Sequence, residues 1–417
     1  MRIAVVGTGI SGLVCTHLLS RGHEVTVFEA DDRPGGHAHT VEVEVDGRRM
    51  PVDTGFLVYN ERTYPGLVRL FDELGVATEA SDMSFSVTDE SCGLQYRGTS
   101  VGAVFAQRRN VCNPRFLRML VDVARFQRVG RQLLADPPRT GYTLEDLLRD
   151  HRWSDEFVDW YLVPLGSSIW SADPSTFTRM PASTLARFFQ RHGMLSFGDK
   201  PAWRTVSGGA VRYVDAILDP VRAAGRLRLS SPVERIARTD GHVELRCPGS
   251  PTERFDHVVI ATHSDQALSM LADPSVAEKE VLGAIRYQAN RVTLHTDASL
   301  LPSNRRAWAA WNYHRTPTVP DRVTMTYHLN QLQNLGCPTP VLVTLNRDDA
   351  IDPDAVLRRF DYAHPVLDAE AVEAQGRHHE IDGVDRTSYC GAYWASGFHE
   401  DGLQSALRVC EALGAGW

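Results

Sequence analysis

The chain of 417 residues has a net charge of −8, and 43% of its residues are hydrophobic and 23% charged. This length predicts two domains, and the composition is that of an ordinary globular protein. The negative charge argues against a nucleic-acid partner, which usually leaves a basic footprint on the sequence.

The seven cysteines, at positions 15, 92, 112, 247, 337, 390 and 410, show no CxxC spacing. Neither a disulfide framework nor a metal site is therefore expected, and a reducing compartment is favoured. An apolar run at 3–6 begins almost at the first residue, so no signal peptide is predicted, and no apolar run reaches the length of a membrane span. We expect a cytoplasmic protein that can also associate with a membrane surface.

The first 29 residues follow the order of a dinucleotide-binding unit. The apolar run at 3–6 predicts a buried parallel strand, residues 13–19 predict a helix, and residues 25–28 predict a second strand. Strand, glycine-rich turn, helix, second strand and acid all occur in order within about 30 residues, as the mechanism of the motif requires. A glycine-rich turn of some other α/β protein is the less favoured alternative.

Three glycines, Gly7, Gly9 and Gly12, stand between the first strand and the helix in G-x-G-x-x-G spacing. In this motif the first permits a tight turn, the second lets backbone amides approach a pyrophosphate, and the third lets the helix pack closely on the strand. Ser11 lies in the same turn and is included among the predicted cofactor contacts. Glu29 ends the second strand, where a carboxylate accepts hydrogen bonds from ribose hydroxyls.

The next segment, DDRPGGHAHTVEV, contains Arg33, Gly35 and Gly36. It resembles the second glycine pair of the superfamily of flavin amine oxidases, protoporphyrinogen oxidases and phytoene desaturases. The resemblance implies FAD as the cofactor, with the backbone of Gly36 extending the pyrophosphate site. His37 stands where many members have arginine, and it is included in the predicted FAD site. No second GxGxxG occurs, so a separate NAD(P)H domain is not expected.

Other segments carry the same resemblance. The residues that it adds to the predicted FAD site are Val233, Ala261, Gly55, Phe56, Gly402 and Leu403. Val233 and Ala261 belong to strands expected at 231–236 and 256–262, which end near the cofactor. Gly55 and Phe56 are expected to present their backbone to the flavin. Gly402 and Leu403 are expected to open a helix whose amides face the flavin ring, where partial positive charge stabilises reduced flavin.

The predicted fold class is α/β, with a Rossmann-like FAD-binding domain and a discontinuous α+β substrate domain, as in flavin amine oxidases. The predicted FAD-binding domain comprises residues 1–60, 205–270 and 385–417, and the substrate domain comprises 61–204 and 271–384. Within the substrate domain, the sequence predicts a helix at 64–74 and strands at 291–297, 322–329 and 341–345. We expect these strands to form one wall of a substrate chamber.

Residues 108–131 contain seven arginines and a single acid, Asp122, and residues 115–131 predict an amphipathic helix. The favoured interpretation is the solvated face of an ordinary packed helix. The alternative is peripheral docking on anionic lipid head groups, which would suit a lipid substrate.

A narrower resemblance covers the stretch from Gly35 to Leu120 and the terminal GFHEDGL. These segments look like the FAD-binding, oxidase-like region at the N-terminus of plant cyclopropane fatty-acid synthases, which stand-alone bacterial proteins share. The resemblance implies an acyl-chain or methylated acyl-lipid substrate and makes a lipid methyltransferase a candidate partner.

Flavin dehydrogenation requires mainly a substrate C–H held near flavin N5 and the exclusion of water. The reaction therefore does not demand a particular catalytic side chain. The candidates are Tyr59, His314 and His399, and for each a structural role is an open alternative. Flavin amine oxidases often hold a lysine near N5, but the corresponding stretch at 305–314 has none, which counts against amine oxidation. The paired histidines lack a complete set of metal ligands, so no metal is expected.

Three functions follow from this reading of the sequence. The first is an FAD-dependent dehydrogenase or desaturase of a lipophilic, acyl-chain substrate, which transfers a hydride to flavin N5. The second is a double-bond isomerase that takes the hydride and returns it elsewhere. The third is a non-catalytic, FAD-bound partner of a lipid methyltransferase.

Overall fold

The computed structural model describes residues 1–136, 141–196, 198 and 201–417. A five-stranded parallel sheet forms the centre of the first domain. Its strands, in spatial order, are Leu227–Arg228, Glu24–Phe28, Arg2–Val6, His257–Ile260 and Thr387–Tyr389. They come from all three stretches that the sequence predicts to share the FAD-binding domain.

The first strand shows why this sheet is buried on both faces. Alternate residues of a strand point to opposite sides. Ile3 and Val5 pack into one hydrophobic cluster, together with the helices that cover that face, whereas Ala4 and Val6 pack into another. The helices on the first face are Ile10–Leu19, Val211–Ala223 and His399–Ala412. A continuous apolar run is therefore required, as the sequence shows at 3–6.

The opposite face packs against a smaller antiparallel sheet. Its strands are Arg235–Arg238, Val243–Arg246 and Glu253–Phe255. The predicted strand at 231–236 is therefore wrong in its first four residues, since residues 231–234 form a loop and the strand begins at Arg235. This loop lies beside the second strand of the large sheet, where the Ser231 amide donates to the carbonyl of Glu29 at 2.8 Å.

A seven-stranded mixed sheet dominates the second domain. Its strands, in spatial order, are Val356–Pro365, Tyr287–His295, Leu342–Leu345, Met325–His328, Trp311–Arg315, Phe85–Asp89 and Leu94–Arg97. The three strands predicted here are confirmed with shifted ends. Two short sheets complete the strands: Thr40–Val45 with Arg48–Asp53, and Trp203–Val206 between Tyr59–Asn60 and Thr78–Ala80.

The helices of at least eight residues within 61–204 and 271–384 pack against both domains. They are Pro65–Leu74, Pro114–Ala135, Leu144–His151, Val163–Trp170, Ala182–Arg191, Val276–Gly283 and Ala369–Gly376. The first confirms the helix predicted at 64–74 and ends at Gly75 in the left-handed conformation, φ 65°. The second confirms the helix predicted at 115–131, and the Asn113 side chain caps it. Within the described ranges, no helix is long and apolar enough to cross a membrane.

The last helix packs so closely on the glycine-rich turn that a side chain is excluded at Gly402. A Cβ there would lie 2.7 Å from Ile10 Cγ2 and 2.9 Å from Ser11 Oγ. We expect Gly402→Ala to lower the free energy of unfolding by about 2 kcal/mol, measured by urea denaturation. Gly376→Ala is the control, because a Cβ there meets no atom within 4 Å. Equal stability of the two variants would contradict the prediction.

Candidate active site

The carboxyl ends of four strands of the parallel sheet open on one cleft, which continues to the seven-stranded sheet of the second domain. The residues that follow those strands and line the cleft are Gly7, Glu29, Ala261 and Gly391. Ligands of open parallel sheets bind at this edge. The lining residues run from the glycine-rich turn to the seven-stranded sheet, so an extended cofactor and a substrate can lie along the cleft.

The glycine-rich turn is closed on its protein side and open toward the cleft. A Cβ on Gly12 would lie 1.9 Å from the Gly7 carbonyl oxygen, so this position must be glycine for the helix to approach. A Cβ on Gly9 meets no atom within 4 Å. Gly9 is also the N-cap of Ile10–Leu19 and supplies no side-chain cap. The first amides of that helix are thus available for an anion in the cleft.

A hydrogen-bond network joins this turn to the acid and to the second glycine pair. Glu29 Oε2 accepts from both the amide, at 3.0 Å, and the hydroxyl of Thr8. The same hydroxyl accepts from the amide of Gly35 at 2.9 Å, and Arg33 Nη1 donates to the carbonyl of Gly36 at 3.0 Å. Residues far apart in the motif are therefore held at one wall of the cleft.

A close contact between two backbone segments builds another part of the cleft wall. A Cβ on Gly55 would lie 2.3 Å from the carbonyl oxygen of His37, and the same oxygen accepts the amide of Phe56 at 2.8 Å. This places the Phe56 ring in the cleft, where it stacks on His399 with ring centroids 3.8 Å apart. Gly55, Phe56 and His399 thus lie in the cleft as the sequence predicts.

Aromatic and imidazole rings surround His37. The centroids of Tyr362, His364 and His263 lie 4.9, 5.4 and 6.2 Å from its ring. Asn290 Nδ2 donates to His364 Nδ1 at 3.0 Å, so the proton of this imidazole is on Nε2. The hydroxyl of Tyr362 is in hydrogen-bond contact with Thr54 and His39, which fixes its ring.

These histidines are neutral at physiological pH because they are buried. Burial lowers the pKa of His399 to about 3, and burial together with the neighbouring His263 lowers the pKa of His364 to about 4. Burial, and then His364, hold the pKa of His37 well below its ordinary value. The cleft therefore offers N–H donors without adding charge.

The part of the cleft beyond Phe56 is lined by large apolar side chains. They are Leu57, Val58, Met83, Ile169, Trp170, Phe188, Met194, Trp203, Trp311 and Tyr327. Among the described residues that line the whole cleft, Glu29 is the only aspartate, glutamate, lysine or arginine, and it lies at the opposite end. This half of the cleft suits an uncharged, elongated ligand.

Two predicted cofactor residues, Gly402 and Leu403, lie elsewhere than expected. The last helix begins at His399 rather than at Gly402, whose amide already donates to the carbonyl of Phe398 at 3.0 Å. Gly402 therefore has no free amide, and Leu403 is fully buried in the core beside the first helix. The Val233 side chain is buried in the cluster under the small antiparallel sheet, and the predicted contact of its backbone with the cofactor stays a prediction. Ser11 lines the cleft, but its hydroxyl donates to the Gly402 carbonyl at 2.9 Å.

Two of the three catalytic candidates are structural. Tyr59 is buried against Phe71 and Tyr64 and does not line the cleft. His314 lies on the opposite face of its strand from Trp311, since strand residues three apart point to opposite sides. Burial lowers its pKa to about 4. Only His399 of the three faces the cleft.

One strand that contributes to the cleft, Val356–Pro365, is not among the strands predicted from the sequence. Phe360, Tyr362 and His364 alternate along it, and this period of two was the available indication of a strand face. His263 was also missed, although it directly follows the predicted strand end at Ala261 and Thr262. Its ring stacks on Tyr287 with centroids 4.3 Å apart.

The described residues suit FAD in this cleft. Gly9 leaves open space at the helix N-terminus, and a Cβ on Gly36 would lie only 3.2 Å from the Gly9 Cα, so both glycine pairs present bare backbone together. Two buried nitrogens, Nε2 of His37 and Nε2 of His399, have no hydrogen-bond partner in the described structure. Unpaired buried nitrogens at a cleft can form hydrogen bonds with a cofactor bound there. Of the described residues, no group of three His, Cys, Asp or Glu side chains could hold a metal ion.

Comparison with known proteins agrees with this geometry. Residues 10–363 match the family described as flavin containing amine oxidoreductase. The chain therefore belongs to this family of flavin-dependent oxidoreductases, and its cofactor is FAD.

Individual relatives are more distant. The flavin-dependent L-tryptophan oxidase RebO of Lentzea aerocolonigenes is 25% identical over 301 residues, which cover 66% of this chain and 57% of that protein. The chain thus matches less than two thirds of the oxidase. Protoporphyrinogen oxidase 2 of Arabidopsis thaliana is 58% identical over 41 residues, 10% of this chain and 8% of that protein.

Solved structures share the fold over the whole chain. A fatty acid isomerase from P. acnes that produces CLA has a TM-score of 0.71 at 17% identity, covering 99% of this chain and 98% of the isomerase. The cyclohexylamine oxidase of Brevibacterium oxydans has a TM-score of 0.69 at 18% identity, covering 99% of both chains. The predicted fold class is thereby confirmed.

Proposed function

We propose that this protein oxidises a lipophilic substrate, an acyl chain, by transfer of a hydride to the flavin as a proton leaves the neighbouring carbon for solvent. The observation that carries the proposal is the apolar half of the cleft, where no charged side chain lines the wall among the described residues. A long hydrocarbon gains free energy from leaving water for such a surface, about 25 cal/mol per Å² buried. The narrower resemblance to the region of cyclopropane fatty-acid synthases points to the same substrate class and stays a prediction, as does a methyltransferase partner.

The same observation argues against amino acids and amines as substrates, although relatives carry those names. An amino acid carries its carboxylate and its ammonium group on the carbon that reacts, so both must enter the cleft beside the flavin, and each is costly to bury without a partner. No arginine or lysine of the described residues lines the cleft to pair the carboxylate. Of the two lysines in the sequence, Lys279 is exposed on the helix Val276–Gly283, away from the site, and Lys200 lies outside the described residues.

The protein's contribution is to bind, orient and exclude water. FAD, when bound, accepts a hydride at N5. Trp311 and Tyr327 are fixed by their mutual edge-to-face contact, with ring centroids 4.9 Å apart, and so give the chamber a rigid wall. Such a wall holds one C–H of a flexible chain in place and keeps the site dry. Neutral His399 and His37 offer hydrogen bonds but are weak bases at these lowered pKa values.

Anaerobic titration of the flavin-loaded protein tests the proposal. Saturated, unsaturated, methyl-branched and cyclopropane fatty acids and phospholipids are added in turn, with L-tryptophan and cyclohexylamine as charged comparators. We expect one acyl class to bleach the flavin absorbance and to yield a product two hydrogens lighter. Bleaching by an amine or amino acid alone would refute an acyl substrate.

Isomerisation of a double bond is the second candidate, and the lowered histidine pKa values favour it. Desaturation of a chain needs a base for the second hydrogen, which neutral, weakly basic imidazoles supply poorly. An isomerase that removes a hydride and returns it at another carbon depends less on such a base. The isomerase in the same fold is an analogy that agrees with this candidate. A product of unchanged mass, formed without an electron acceptor, distinguishes it from dehydrogenation.

A charge placed in the apolar half should selectively weaken substrate binding. Ile169→Asp puts a carboxylate among the lining side chains. We expect the dissociation constant of the acyl substrate to rise at least about 100-fold, because the charge must be desolvated when the chain binds. Ile169→Leu is the control and should change affinity by less than about threefold. FAD content of both variants should match the wild type, and equal substrate affinity would contradict the proposed chamber.

A further inference from the structure

The segment from residue 101 to residue 131 exposes large aliphatic side chains. Val101 is 78% exposed and Val121 68%, and Val111 and Leu117 are also exposed. Leu117 and Val121 are four residues apart on the helix Pro114–Ala135 and therefore share one face. These four make up most of the large hydrophobic residues exposed among the described residues. The exposed part of this segment is called the 101–131 surface below.

The same surface carries an excess of positive charge. Of its seven arginines, two pair with acids: Arg115 with Glu156 at 2.6 Å and Arg125 with Asp122 at 3.6 Å. No acid of the described chain lies within 4 Å of the other five. These are Arg108, Arg109, Arg118, Arg128 and Arg131, all exposed. A protein with a net charge of −8 thus concentrates cationic groups on one surface.

We propose that the 101–131 surface docks on an anionic lipid bilayer. Guanidinium groups bind lipid phosphates and carboxylates, and aliphatic side chains beside them enter the boundary between head groups and acyl chains. Arginines alone could also bind the phosphates of a nucleic acid. The exposed aliphatic residues between them, however, make no favourable contact with a phosphate backbone. The negative charge of the rest of the chain orients this surface toward such a membrane.

The helix that carries this surface also supports the apolar half of the cleft. A Cβ on Gly130 would lie 2.9 Å from the Leu195 side chain, and Arg131 donates to the Leu195 carbonyl. Met194, the preceding residue, lines the cleft. Docking at the 101–131 surface would therefore bring the bilayer next to the element that borders the substrate half. The docking proposal does not depend on the reaction.

Vesicle sedimentation of the flavin-loaded protein tests the proposal. We expect the wild type to sediment with vesicles of phosphatidylcholine and phosphatidylserine, to stay soluble with phosphatidylcholine alone, and to be released by salt. Arg118→Gln/Arg128→Gln and Leu117→Ser/Val121→Ser should each weaken partitioning about tenfold or more. The control pairs, Arg358→Gln/Arg359→Gln and Val276→Ser/Val384→Ser, change exposed residues of the same types elsewhere and should behave as the wild type. Equal FAD content establishes that every variant is folded.

Two results would overturn the proposal. One is a wild type that stays in the supernatant with anionic vesicles at low salt. The other is a loss of partitioning in the control pairs as large as in the test pairs. Gel filtration of the same variants tests whether the 101–131 surface is instead a dimer interface. It is one if only the test pairs abolish a dimer and no variant binds vesicles. Acyl-substrate titration of the variants in detergent separates failure of docking from failure of the proposed reaction.

Discussion

Replacing Gly9 by valine is expected to abolish FAD binding while leaving the fold intact. Gly9 has φ −61° and ψ 174°, which any residue adopts, and an added Cβ meets no atom of the described chain within 4 Å. The new side chain therefore causes no strain in the protein, but it occupies the space at the helix N-terminus where the pyrophosphate must approach bare backbone. We expect FAD affinity to fall at least about 100-fold, equivalent to about 2.7 kcal/mol.

Flavin absorbance of the purified variant, followed by titration with FAD, measures this loss. Gly22→Val is the matched control, because a Cβ there also meets no atom within 4 Å but lies on the surface away from the cleft. The control should purify with wild-type flavin content. Both variants should retain the circular dichroism of the wild type. A flavin-loaded Gly9→Val protein would mean that the cofactor does not lie on this turn.

The FAD half of the cleft could be predicted because its determinants are local. The glycines at 7, 9 and 12 and the acid at 29 follow one another within a single strand–helix–strand unit, and the spacing itself carries the mechanism. Boundaries were less predictable. GFHEDGL contains a glycine that resembles a helix start, but Asp401 accepts the amide of Phe398 at 3.0 Å and so begins the helix three residues earlier.

The substrate half could not be predicted to the same depth, because it depends on pairing between distant segments. Phe85–Asp89 pairs in parallel with Trp311–Arg315, and the Ser86 hydroxyl donates to Asn312 at 2.8 Å across 226 residues of sequence. Alternation indicates that one residue of each adjacent pair faces the chamber but does not say which one. The pairing decides this and turns Tyr327 toward the cleft and His328 away from it.

Five histidines outside the apolar chamber make the fold sensitive to acid. Burial lowers the pKa of each to about 4, and each is less than a tenth exposed: His39, His257, His295, His314 and His328. His295 shows why the proton is excluded. Its Nδ1 accepts the amide of Asp297 at 3.1 Å, and its Nε2 contacts the Thr344 hydroxyl at 2.7 Å, so a second proton would break the Asp297 bond.

The sign of the pH dependence follows from these shifts. Each of these histidines has a pKa near 6.5 in the unfolded chain and a lower pKa in the folded protein. It therefore stabilises the folded state fully above pH 6.5, and this stabilisation is lost as the pH falls toward 4. Two buried carboxyls act oppositely, since burial raises the pKa of Asp53 and of Asp401 to about 6 and their protonation stabilises the folded state. The five histidines outnumber the two carboxyls, so these seven groups together should take up about three protons when the chain unfolds at pH 5, and the cleft histidines His37, His364 and His399 add to this uptake.

We therefore expect the free energy of unfolding to fall by about 3 to 7 kcal/mol between pH 7 and pH 5, a large part of the stability of an ordinary domain. Urea denaturation at a series of pH values gives this slope and the proton uptake. His295→Gln removes one titrating group and should lower the uptake by about one proton, whatever its effect on stability. His379→Gln, at an exposed position, should leave the slope unchanged. If the free energy of unfolding does not change from pH 7 to pH 5, the buried imidazoles accept protons in the folded protein. The imidazoles of the cleft would then not be neutral in this range either.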